Sequence, residues 1–136
     1  MKEFVICLLA FLICSCRRTI DFDFDTYKQS LHISNGYFYD LCFENDSVLP
    51  NGKSYEGALF LIWQDSLCVP PTKIDLNNYI PNGYIVSRGG ILSSERKIKL
   101  KANSTYTISS TGLGAVECRI KAWTNRNGKI LKAVKY

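Results

Sequence analysis

Beyond residue 16, turn-forming residues divide this chain so finely that a long helix has no room. Asn35-Gly36, Asn45-Asp46, Pro50-Asn51-Gly52, Pro70-Pro71, Pro81-Asn82-Gly83, Gly89-Gly90 and Asn127-Gly128 separate short runs rich in β-branched, aromatic and aliphatic residues. Such punctuation marks strands joined by tight connections. The clearest unit is the last. Residues 117–124 (ECRIKAWT) alternate, with Cys118, Ile120 and Ala122 on one side and Arg119, Lys121 and Trp123 on the other. Residues 125–128 (NRNG) then reverse the chain and 129–134 return. Asn-Gly accepts the positive φ angles of a hairpin turn, so the spacing predicts an antiparallel hairpin.

The remaining runs read the same way. In 21–25 (DFDFD), Asp21, Asp23 and Asp25 share one face of an extended segment and Phe22 and Phe24 the other. This is either a first strand with one wet face or a spacer. Residues 31–34, 37–44 (YFYDLCFE) and 84–87 read as strands. Residues 58–64 (ALFLIWQ) are a continuous apolar run suited to a central strand, with Trp63 in the core. Residues 97–101 (KIKLK) place Ile98 and Leu100 inward and three lysines outward, and with 105–109 (TYTIS) suggest a late hairpin. Residues 74–79 could form one helical turn. About seven to nine short strands over some 120 residues describe an all-β fold, an antiparallel immunoglobulin-like β-sandwich, expected over 27–136.

The beginning of the chain has a different character. Lys2 precedes an unbroken apolar stretch over 4–13, about the length of a signal-peptide core and short of the roughly 20 residues that a membrane-spanning helix needs. Ile13-Cys14-Ser15-Cys16 resembles the lipobox of bacterial lipoproteins, although Ala, Ser or Thr is commoner than Cys at position 14. That resemblance implies cleavage before Cys16, a lipid on its thiol, and attachment to the membrane through that lipid. Residues 1–15 would be the signal peptide, and 16–26 the lipidated cysteine followed by a tether or first strand. Each buried methylene contributes about 0.8 kcal/mol and one acyl chain binds only marginally, so several chains make a durable anchor. Arg rather than Asp at position 17 implies, by the sorting rule of this family, the outer membrane facing the periplasm. One domain of 121 residues remains. Lys2 and Glu3 cancel, so the formal charge of +5 is retained, compatible with an acidic partner or an anionic surface. Export argues against nucleic acid as a partner.

Of six cysteines, Cys7 and Cys14 leave with the signal and Cys16 carries lipid. Cys42, Cys68 and Cys118 remain in an oxidising compartment. An odd number leaves one thiol over. The sequence favours Cys42–Cys68 ahead of Cys68–Cys118, because Cys68 precedes a double proline and should be exposed. The alternative is three small buried hydrophobes.

Catalytic chemistry is poorly represented. His32 is the only histidine and lies on a presumed strand, where a surface role is commoner than catalysis. No nucleophile elbow, phosphate loop or zinc motif occurs, so the reading is not an enzyme, with no cofactor and no metal. Aspartates two apart on a strand sit about 6–7 Å from one another, too wide for one ion without help. Binding features are stronger. Trp123 shares a face with Arg119 and Lys121, and Trp and Arg are typical interface anchors; Trp123 could instead tuck under a loop. Lys97, Lys99 and Lys101 form a basic stripe that either guards an edge or docks an acidic partner.

Across most of the chain the layout resembles small Gram-negative periplasmic lipoproteins described as type VI secretion immunity proteins. The shared points are the lipobox at Cys16, Cys42-Phe43, Cys68 before prolines, the aromatic strand around Tyr106, and the late strand ending near Asn127-Gly128. The resemblance implies a tethered binder that occludes a toxin delivered into the periplasm. Two other roles fit the same composition: an accessory lipoprotein of an envelope complex, and a small-ligand or glycan binder using Tyr37 and Tyr39.

Overall fold

The structure, a computed structural model, describes residues 20–47, 58–110 and 118–136. The signal segment, Cys16 and the loop at 50–52 lie outside the described residues. Ten strands form: β1 (Phe22–Asp25), β2 (Ser30–Ile33), β3 (Asp40–Asn45), β4 (Leu59–Trp63), β5 (Lys73–Asp75), β6 (Tyr84–Arg88), β7 (Ile91–Leu92), β8 (Thr105–Ser110), β9 (Cys118–Thr124) and β10 (Ile130–Lys135). No helix occurs among the described residues. The strands make a three-stranded sheet, β1-β2-β5, and a seven-stranded sheet, β10-β9-β8-β3-β4-β6-β7. Every pairing between them is antiparallel. The chain is thus an all-β protein of two antiparallel sheets, consistent with a β-sandwich.

Alternation decides the core. Phe22 and Phe24 on β1, Leu31 and Ile33 on β2, and Ile74 on β5 turn toward the large sheet. Leu41, Phe43, Leu61, Val86, Ile108, Ile120 and Ala122 answer from the other side, each at most 1% exposed. The Phe22 and Phe38 rings meet edge to face at 5.6 Å between centroids, an arrangement favoured by the ring quadrupoles. Residues 21–25 are therefore part of the sandwich. Lys135 crosses from β10 to Asp21 and Asp23, at 2.6 and 2.8 Å, and Asp25 caps the next turn through the backbone N–H groups of Tyr27 and Lys28.

At the opposite end of β1, Gln29 joins the two layers. Its buried carboxamide donates to the Thr26 and Ile130 carbonyls and accepts from the Ile130 N–H. The β9–β10 hairpin forms as expected. Gly128 takes φ +75°, and the Asn125 carboxamide oxygen accepts from the backbone N–H groups of Asn127 and Lys129.

Four expectations need correction. Ten strands occur among the described residues, against the expected seven to nine or so, because β5 and the two-residue β7 were not anticipated. Residues 97–101 alternate as expected but join no sheet apart from one bridge, Tyr79 to Lys97. Their backbone is satisfied elsewhere: Arg88 binds the Lys97 carbonyl, Thr124 the Lys101 carbonyl, and the Tyr106 hydroxyl accepts from the Lys101 N–H. β8 accordingly pairs with β3 and β9. Residues 74–79 supply β5 and a turn rather than a helical turn. Finally, Cys42, Cys68 and Cys118 are all thiols, with no disulfide between them. Register explains part of this. Cys42 is opposite Ser109, on the outward set of the large sheet, whereas Cys118 is in phase with buried Ile120.

Candidate functional site

β9 turns Ile120, Ala122 and Thr124 inward, which forces Arg119, Lys121 and Trp123 onto the outer face of the large sheet. The three residues singled out in the sequence are therefore brought together. Trp123 is half-buried, and Lys132, its partner on β10, lays its ammonium over the indole at 5.1 Å from the ring centroid. Such a cation–π contact contributes about 0.5–1 kcal/mol at an exposed site. Lys132 was missed in the sequence. The pairing slips by one residue between Ile130 and Lys132, and that slip alone puts Lys132 opposite Trp123.

The face changes character strand by strand. Next to β9, β8 presents Thr105, Thr107 and Ser109, opposite Trp123, Lys121 and Arg119. The Thr107 hydroxyl donates to the Asp46 carboxylate at 2.7 Å and lies 3.2 Å from the Tyr136 hydroxyl. β3 then contributes Glu44 and Cys42. Beyond it the face becomes apolar. Phe60 and Ile62 of β4 are 41% and 45% exposed, with Ile85 beside Ile62 on β6 and exposed Leu92 on β7. The run over 58–64 is central, as expected, but only Leu59 and Leu61 are buried. Cationic, hydroxyl, acidic and apolar bands thus follow one another across a single sheet.

The lysine stripe lies elsewhere. Lys97 stacks on Tyr79 at 5.1 Å, and Lys99 reaches Glu95 at 3.5 Å. Ile98 and Leu100 point into the core. Tyr37 and Tyr39 meet edge to face at 6.3 Å beside the start of β3, away from β9. Trp63 packs against the core and edge to face on Tyr84, its indole N–H donating to the Asp65 and Cys68 carbonyls. His32 is exposed on β2, between Asp23 and Lys73 of its neighbours. Cys68 is exposed, as expected.

Apart from this face, a cleft lies between the turn after β5, the 98–100 segment and the β9–β10 hairpin. Leu76, Ile98 and Leu100 line it together with the polar Asn77, Lys99, Asn127 and Lys129, around a volume of about 300 Å³. The fold is an antiparallel two-sheet protein whose large sheet carries this graded face among the described residues. No family model matches the chain, and no curated protein or solved structure does either.

Proposed function

We propose that this chain is a lipid-anchored periplasmic binding protein that neutralises a periplasm-delivered toxin by occluding it. The observation that carries this reading is the outward row of Arg119, Lys121 and Trp123 on a strand whose other side is fully committed to the core. An aromatic and two cations on a rigid strand are the makings of an interface anchor. The lipobox-like sequence before Cys16 supports the anchor, and Arg17 supports the outer membrane. The role is binding rather than catalysis.

We also read the sandwich as immunoglobulin-like. Taking β1, β2 and β5 as strands A, B and E, and β3, β4, β8 and β9 as C, C′, F and G, the sheets become A-B-E and C′-C-F-G. β6 and β7 then extend the sheet past C′, and β10 extends it past G.

The anchor would orient the domain. Ile20, four residues after Cys16, leads into β1, and four extended residues span at most about 14 Å. Gln29 follows β1 at its other end and holds the start of β10. Trp123, Lys132 and the 125–128 turn therefore lie at the end away from the lipid.

The test exports the product of the neighbouring reading frame into the periplasm, with and without this protein, and records survival. Growth arrest relieved only by this protein is the expected result. Toxicity without rescue would replace this reading with that of an envelope accessory subunit. In the rescuing pair, Trp123→Ala combined with Lys121→Glu should weaken binding by tenfold or more in a calorimetric titration. An unchanged affinity would remove this face from the interface.

A further inference from the structure

We infer that the cleft between Asn77, Lys99 and Lys129 seats a carboxylate side chain from an acidic segment of a protein partner. This inference rests on the binding role proposed above and names a second contact for it. The cleft is formed by three separate pieces of chain: the turn after β5, the extended 98–100 segment, and the β9–β10 hairpin.

Each wall is fixed by bonds that do not use the Lys99 or Lys129 ammonium. The Asn77 N–H donates to Asp75 and the Leu76 N–H to the Gln29 carbonyl. The hairpin wall is held by the Asn125 side chain. Gln29 ties the two together through Ile130, and it does so with φ +53°, a left-handed conformation uncommon for a non-glycine residue. Strain kept in place by surrounding contacts is a feature of prearranged sites.

The rim, by contrast, is electrostatically open. Among the described residues no acidic group forms an ion pair with Lys129. Among the described residues Lys99 pairs with Glu95, at 3.5 Å with both side chains well exposed, a weak and exchangeable contact. A carboxylate entering between the two ammoniums would displace Glu95, accept charge-assisted hydrogen bonds, and lay its methylenes on Leu76 and Leu100. A carboxylate carried on a side chain suits the cleft better than a bare ion because Leu76, Ile98 and Leu100 line it beside the polar groups.

The test titrates the purified full chain in detergent with a capped peptide of four glutamates, against its four-glutamine counterpart and against inorganic phosphate. The glutamate peptide should bind saturably and the glutamine peptide at least tenfold more weakly. Lys99→Gln and Lys129→Gln should each cost about tenfold or more, Glu95→Gln should tighten binding, and Lys121→Gln, a like charge change on the outer face, should leave it unchanged. Equal loss in Lys121→Gln would mean a net-charge effect and overturn the site. So would equal binding of the two peptides. Phosphate displacing the peptide at equal concentration would make this a free-anion site and overturn the proposed occupant. The survival assay is independent: peptide binding without rescue discards the immunity role and keeps the cleft, and rescue without peptide binding does the opposite.

Discussion

At the scale of single residues, two glycines separate conformational strain from steric overlap. Gly90 has φ +82° and nothing near the position of an added Cβ. Gly128 has φ +75°, and an added Cβ would overlap the Leu100 carbonyl oxygen. Gly90→Ala should therefore cost only the left-handed penalty, about 1 kcal/mol. Gly128→Ala must also push the hairpin away from the 98–100 segment, so its loss should exceed that of Gly90→Ala by about 1–3 kcal/mol. Chemical denaturation of the two variants checks the difference, and equal losses would mean that the hairpin moves freely. Asn-Gly announced a turn at 127–128 in the sequence. That the same glycine also lets two backbones meet was not legible, because the contact joins residues 28 positions apart.

At the scale of elements, local pattern exposed the strands but not their partners. β9 was readable in full, face by face, since alternation alone decides which side chains point inward. Residues 97–101 show the limit: the alternation was real, yet side-chain donors from Arg88 and Thr124 replace a sheet partner. β5 is three residues long, too short to carry a pattern. For β4, an apolar run could not reveal that nothing described covers Phe60 and Ile62. The cysteines illustrate the same limit at the level of pairing. Register sends Cys42 outward and Cys118 inward across the same sheet, so no bridge can join them without rebuilding a strand. Cys68 is exposed in the loop after β4. A thiol reagent applied to the native protein should therefore label Cys68 first, and mild oxidation should produce a Cys68–Cys68 dimer rather than an internal loop. Mass mapping that found Cys42–Cys118 would contradict this register. The outer-face row of the candidate site was legible for the same reason as β9, whereas the cleft was not, because its rim comes from three distant segments.

At the scale of the whole molecule, two protonated groups tie distant segments of the chain together. Tyr84, buried on β6, donates its hydroxyl to the Phe38 carbonyl. Burial, and secondarily the charge of Asp40, raises its pKa above the ordinary tyrosine value. Lys135 is raised above the ordinary lysine value by its bonds to Asp21 and then Asp23, and that contact binds the first strand to the last. Both groups hold their protons more tightly folded than unfolded. Their stabilisation is therefore complete below the unfolded pKa values, about 10 for each, and is lost as pH rises from there through the folded values. Stability should be level from neutral pH to about 9 and fall beyond about 10. Tyr84→Phe should flatten part of that fall, at the expense of one buried hydrogen bond at all pH values. Lys135→Met should flatten another part while loosening β1. Because β1 begins six residues after the proposed lipid site, any pull from the membrane would enter the fold through the strand that Lys135 retains. Proteolysis near residue 20 should accordingly accelerate in Lys135→Met and not in Tyr84→Phe. Denaturation midpoints measured from pH 7 to 11 decide the matter: a wild-type midpoint that does not move above pH 10 would show that neither proton is held by the fold.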